Sequence, residues 1–434
     1  MSRTAGRRLS VVAADQAVSA ASSLLVTLIA AQLLDVAAFG LFGLIFICFV
    51  AAQGVLRAWV GEPTLLHHDD AVAAPGPMLS AAVALAGCVG VVLAAVGAAT
   101  WSWHAEVGQS LVLIGVLMPA LTLQDYGRFL GFAQHRPQQA LALDLLRVAL
   151  LVVAAFAVWR AEAGVVWLVA AWAGSGAGAG LLTLVHQRVH LARPSLRWLR
   201  SSWSFSWRYL LSFAATQGAA LATTVAIAGI GGAADLGAVR GVLLLTGLFT
   251  MVQAAFMAAG VAEVAASPED RGLVRGTVRK GTLLMGVIAA LNGVVLLSIP
   301  TGIGELILAD TWASAERLFV PAALHLLALG MITGVRSALM GRRAIRVTMV
   351  IDVVSTIAML AAVIVGVTVN GALGAWWALA WVQVAVAAAW WLIYLAHIRS
   401  FAPVPPLDAA AARPTTAVRS EPVEPAMTSS IGDH

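Results

Sequence analysis

The sequence predicts an all-α integral membrane protein of about twelve transmembrane helices in two homologous six-helix lobes, with the N and C termini cytoplasmic. Three observations carry this expectation. The 434 residues are 61% hydrophobic and 11% charged, with a mean hydropathy of +0.91, far too apolar for a soluble protein. Apolar stretches begin near Val11, Phe39, Met78, Gly108, Ala140, Ala163, Trp207, Gly237, Gly281, Ala315, Val347 and Ala372, each long enough for a span of roughly 20 residues. Finally, of the 26 basic residues only Lys280 is not arginine, and they cluster on alternate connections, which places that side in the cytoplasm.

The first span carries Asp15, Ser19, Ser22, Ser23 and Thr27 along one helical stripe. Such a stripe serves close packing through small polar residues, or it lines a hydrated cavity in which Asp15 is the candidate site for a coupling proton or sodium ion. Arg3, Arg7 and Arg8 precede it, but the apolar run continues through a full span without a signal-peptide cleavage pattern. Arg57 and Glu62 close the second span and mark the membrane interface. Cys48 and Cys88 fall inside spans with no spacing that suggests a disulfide or a metal site, and no cofactor is expected.

The most informative stretch, Gln124 to Arg147, reads as a helical hairpin with its tip at Arg136. Arg128 and Asp144 lie equally far from that tip, as do Asp125 and Arg147. Equal distance means equal depth, so Arg128 with Asp144 and Asp125 with Arg147 are expected to form two ion-pair rungs roughly 4.5 Å apart. In the second half, Arg336 and Asp352 repeat the first rung at the same spacing, whereas Thr333 and Ser355 replace the second. The duplicated pairs are expected to be structural, and the unduplicated one to carry function.

The segment 186–206 interleaves Arg with Leu and Trp, the pattern of a helix lying in the membrane surface. It is expected to join an N-terminal lobe, 1–185, to a C-terminal lobe, 207–397. In SPEDRGLVRGTVRKG, Ser267 is expected to cap a helix with Pro268 at its first position. Arg240 and His325 are further polar residues within spans, and 398–434, rich in Pro and Ala, reads as a disordered cytoplasmic tail.

DQAVSAASSLLVTLIAAQLLDVAAFGLF, QDYGRFLGFAQHRPQQALALDLLR and the two six-helix halves together resemble the polysaccharide exporters and oligosaccharide-lipid flippases of the multidrug/oligosaccharidyl-lipid/polysaccharide (MOP) superfamily. The resemblance covers the spans and not the tail. It implies two lobes in a V around a central cavity, open alternately to each side. It also implies a bacterial plasma-membrane transporter that flips a lipid-pyrophosphate-linked glycan, driven by a proton or sodium gradient and working beside glycan-assembly enzymes.

The residues favour the same class. An anionic headgroup needs guanidinium groups within the membrane, and Arg147, Arg57 and Arg240, with Asp125 as counter-charge, are the candidate substrate residues. A multidrug or small-solute exporter of the same superfamily is the alternative, and it would call for free acidic groups. An enzyme of glycan assembly ranks third, because the longest outer connection offers only Glu305 and Asp310. The net charge of +5 fits anionic-lipid contact rather than nucleic-acid binding.

Overall fold

The computed structural model describes residues 18–19, 21–66, 73, 75–134, 136–186 and 189–400. Among them are twelve principal helices: α1, Ala21–Leu33; α2, Val36–Thr64; α3, Pro75–Thr100; α4, Ala105–Ala133; α5, Pro137–Arg160; α6, Val165–His186; α7, Leu196–Ala226, basic at its start, apolar from Gly218 and prolonged by a π turn, Ile227–Gly231; α8, Ala233–Ala266; α9, Arg271–Ser298; and α10, Phe319–Gly341. The helical run Ile345–Ser400 supplies the last two, α11 over 345–369 and α12 over 372–400. No strand occurs among the described residues. Asp15 and the tail from 401 lie outside them.

Local chemistry sets the helix ends. Asp35 caps α2 by accepting from Ala38 N at 2.8 Å, and Pro137 opens α5, where its missing N–H costs nothing. The α9 cap differs from the sequence expectation. Ser267 ends α8, and Asp270 caps α9, its Oδ1 accepting from Gly272 N and Leu273 N. A carboxylate at a helix N-terminus gains from the dipole as well as from the hydrogen bonds. Between α11 and α12 the chain turns at Asn370 and Gly371, the latter at φ 52°, which glycine adopts without strain. There Asp235 of α8 accepts from Ala372 N at 2.9 Å and caps α12.

The lobes meet through glycine. A Cβ on Gly40 of α2 would strike the Ala233 carbonyl oxygen, and a Cβ on Gly237 of α8 would strike that of Val36. The contact is reciprocal, the signature of a two-fold relationship between the halves. Around it one continuous core draws on both lobes, with Phe39, Trp172, Val239, Trp312 and Trp376 all buried. Toward the opposite, arginine-rich end the core divides into one cluster around Tyr126 and Leu130 and another around Val335 and Trp390. The two lobes therefore share a core at one end and keep separate cores at the other.

The connection between lobes also differs from expectation. Among the described residues of the connection, 189–195 are irregular, and the basic, Trp-rich stretch forms the first turns of α7 rather than a separate helix. Those turns pack on the first lobe: Trp198 joins its core, Trp59 and Trp203 stand with ring centroids 4.8 Å apart, and Ser206 Oγ donates to the Trp59 carbonyl at 2.8 Å.

Candidate functional site

Within the first lobe a cavity of about 250 Å³ opens among α1, α2, α4, α5 and α6. Ser22 and Ser23 come from α1 and Ser19 from just before it, Gln53 and Arg57 from α2, Gln124 and Asp125 from α4, Arg147 from α5 and Trp172 from α6. The α1 stripe thus faces a cavity for the part of it that is described.

The charges form one network. Arg57 grips Asp125 with both arms of its fork, Nη2 to Oδ1 at 2.6 Å and Nε to Oδ2 at 2.8 Å, the strongest geometry available to such a pair. Gln53 Nε2 donates to the same Oδ2 at 2.8 Å, and Arg128 Nη1 stands 3.6 Å from Oδ1. Arg128 Nε lies 3.3 Å from Asp144 Oδ2, while Gln124 Nε2 donates to Asp144 Oδ1 at 2.7 Å. Asp125, Arg128 and Asp144 are all buried.

Here the expected second rung is corrected. Arg147 does not pair with Asp125; its Nη1 donates to Gln124 Oε1 at 3.3 Å, its one hydrogen bond among the described residues, and its Nε has no partner there. Equal depth on two adjacent helices was the basis of the expectation. Arg57 wins because α2 presents it directly to the carboxylate and Gln124 stands between Asp144 and Arg147. The two carboxylates thus face three guanidinium groups, Arg57, Arg128 and Arg147, and the cluster carries a net charge of +1.

Gln53 and Gln124 were not singled out from the sequence. Their signal was available: Gln53 lies four residues before Arg57 on the same face of α2, and Gln124 adjoins Asp125.

The second lobe is neutral at the matching place. Gln253 Nε2 of α8 donates to Thr333 Oγ1 of α10 at 3.1 Å, where the first lobe has Arg57 on Asp125. The repeated rung is present, Arg336 Nη2 to Asp352 Oδ2 at 2.9 Å, but its side chains are 36% and 40% exposed, against 7% and 3% for Arg128 and Asp144.

Arg240 is not brought into the cluster. Its Nη2 donates to the Gly43 carbonyl at 2.6 Å, and Gly43 precedes Gln53 by about 15 Å along α2 at 1.5 Å per residue. Arg240 instead stands in a groove of about 490 Å³ between α1 and α8, whose walls include Leu24, Leu243, Leu244 and Leu248. This groove and the polar cavity share Ser23 and Phe46, so the two adjoin. His325 sits apart from both, edge-on to Trp376 with centroids 5.9 Å apart. Cys48 and Cys88 are free thiols, and no cluster of metal-ligating side chains occurs among the described residues.

No protein-family model matches the chain, and no curated protein matches it in sequence. Solved structures do match. An inward-facing conformation of a multidrug resistance MATE family transporter of the MOP superfamily aligns with a TM-score of 0.71 at 13% identity, over 88% of this chain and 94% of that one. The lipid II flippase MurJ in an inward closed conformation gives 0.67 at 7% identity, over 90% of this chain and 88% of that one. An outward-facing MATE family transporter gives 0.57 at 15% identity, over 91% of this chain and 95% of that one. The likeness is one of fold: an all-α, multi-pass membrane protein with the two six-helix lobes of MOP transporters. It is closer to the inward-facing MATE form than to the outward-facing one.

Proposed function

We propose that the protein is a transporter that flips a lipid-pyrophosphate-linked oligosaccharide from the cytoplasmic to the outer leaflet by alternating access between its lobes. The observation that supports this is the pairing of two unlike spaces. The cavity has an excess of positive charge and an arginine, Arg147, with donors to spare. The groove beside it sets Leu24, Phe46, Leu243, Leu244, Leu248 and Met251 around Arg240 and shares two of its residues with the cavity. A headgroup of phosphates fits the first and a hydrocarbon chain the second, which is the chemistry of an anionic amphiphile.

In this reading the cluster acts by exchange. Asp125 neutralises Arg57 while the cavity is empty, and an arriving pyrophosphate takes up Arg147 first because that guanidinium has the fewest ties. A proton or sodium gradient drives the cycle, with Asp15 as the candidate for the coupling ion. Arg240 serves the groove rather than the headgroup.

A second reading has its own support, since one structural neighbour is a multidrug transporter. Against it, both carboxylates of the cluster are held by arginine, so a cationic drug would meet net positive charge. Purified protein in vesicles decides between them. The flippase reading expects accelerated movement of a fluorescent polyprenyl-pyrophosphate glycan across the bilayer and no pumping of ethidium. Ethidium transport without glycan-lipid movement would assign the exporter function instead.

A further inference from the structure

Gln53 lines the cavity on α2, one turn before Arg57, and is only 5% exposed. Its Nε2 donates to Asp125 Oδ2 at 2.8 Å. An ionised carboxylate can only accept, so this bond fixes the amide, with nitrogen toward Asp125 and the carbonyl oxygen turned away. The amide cannot reverse without setting two acceptors against each other. Asp125 in turn is held by both arms of Arg57. Yet Gln53 Oε1 is buried and has no hydrogen-bond partner among the described residues. A buried acceptor left unpaired is costly, and a wall of a ligand cavity is where a protein recovers that cost on binding.

The acceptor also constrains the ligand. Arg57 and Arg147 offer only donors, which suits phosphate oxygens. Ionised pyrophosphate has only acceptors and leaves Gln53 Oε1 unsatisfied. A ligand that satisfies both must carry an O–H or N–H beside its phosphate. The first sugar of a glycosyl phosphate does so, through a hydroxyl or an acetamido group. Space points the same way: about 250 Å³, at roughly 30 Å³ per water, holds a phosphate group and a ring rather than a whole glycan. Phe49 and Trp172, edge to face at 4.7 Å, also line the cavity and present apolar surface to such a ring.

We infer that Gln53 is a specificity-determining residue, accepting a hydrogen bond from the sugar that adjoins the phosphate held by Arg147. This rests on the anionic-headgroup reading above. The site distinguishes a glycosylated phosphate from a bare one, so the reaction that supplies its substrate is transfer of a sugar phosphate or sugar onto a lipid carrier.

The test compares two soluble ligands, N-acetylglucosamine 1-phosphate and methyl phosphate, binding to the full-length protein in nanodiscs. The wild type should prefer the sugar phosphate. Gln53→Met should reduce the ratio of the two affinities by about five- to tenfold, the worth of one hydrogen bond. Gln53→Lys retains an N–H toward Asp125 without an acceptor and should reduce the ratio equally, which separates reading of the sugar from support of Asp125. A wild-type ratio in both variants overturns the role of Gln53 and leaves the headgroup reading standing. Failure of the wild type to bind either phosphate overturns both.

Discussion

Arg57 and Asp125, 68 residues apart in sequence, meet in a two-armed contact of 2.6 and 2.8 Å that ties α2 to α4 at the cavity wall. The Asp125 side chain is 7% exposed and that of Arg57 45%. Removing the arginine leaves the buried carboxylate with Gln53 and Arg128, which costs on the order of 1–2 kcal/mol once the exposure of Arg57 is allowed for. Arg57→Met should therefore lower the thermal midpoint of the purified protein, and Arg57→Met with Asp125→Leu should regain part of the loss. A double variant no more stable than Arg57→Met would show that the pair does not act as a unit.

The two copies of the repeated rung are expected to differ in strength. Arg128 and Asp144 are buried, so Asp144→Asn should cost on the order of 3 kcal/mol and reduce the amount of folded protein. Arg336 and Asp352 are more than a third exposed, so Asp352→Asn should cost under about 1 kcal/mol. Denaturation of the two single variants side by side checks this. Equal losses would mean that the second rung is as firmly enclosed as the first.

Closure of the lobes depends on Gly40 and Gly237. A side chain at either position overlaps a carbonyl of the partner helix, and overpacking of this kind costs about 1–3 kcal/mol. Gly40→Val should lower thermal stability, while Gly87→Val, at a position with nothing within 4 Å of a built Cβ, should not. A Gly40→Val protein as stable as the wild type would contradict the close approach of α2 and α8.

Sidedness follows from the arginines. Single cysteines at Glu106 and Glu305, in a background lacking Cys48 and Cys88, should react with an impermeant thiol reagent applied outside intact cells. Cysteines at Arg197 and Arg279 should not. The reverse pattern would invert the direction of transport proposed here.

The parts of this architecture that depend on local pattern were legible in the sequence. Most of the spans, the α4–α5 hairpin and the repeated rung follow from hydropathy and spacing within a few dozen residues. The start expected near Val11 lies outside the described residues, and the helices expected near Trp207 and Gly281 begin earlier, at Leu196 and Arg271. Contacts between distant helices were not legible. Nothing local says that Arg57 rather than Arg147 reaches Asp125, or that Gln124 bridges Arg147 to Asp144. The place of Arg240 on the Gly43 carbonyl depends on how α2 and α8 cross, and that crossing is set by glycines whose meaning appears only when the partner helix is known. The basic stretch before Trp207 runs into a longer helix for a related reason. Its amphipathic pattern fits a membrane surface, but the first lobe offers Trp198 a core.

Arg147 is where stability and function should separate. It is partly buried with a single hydrogen bond among the described residues, so its charge is poorly repaid within the fold. Arg147→Met should leave thermal stability unchanged or raise it, in contrast to Asp144→Asn. A marked loss of stability would make Arg147 a structural residue.

If Arg147 holds the headgroup of a lipid-linked glycan, its loss changes the sidedness of that lipid in cells. With variants at matched levels of membrane protein, Arg147→Gln should leave glycan precursors on the cytoplasmic face. Arg147→Lys, which keeps the charge but loses the fork, should flip them slowly. Normal flipping by Arg147→Gln would place the headgroup elsewhere.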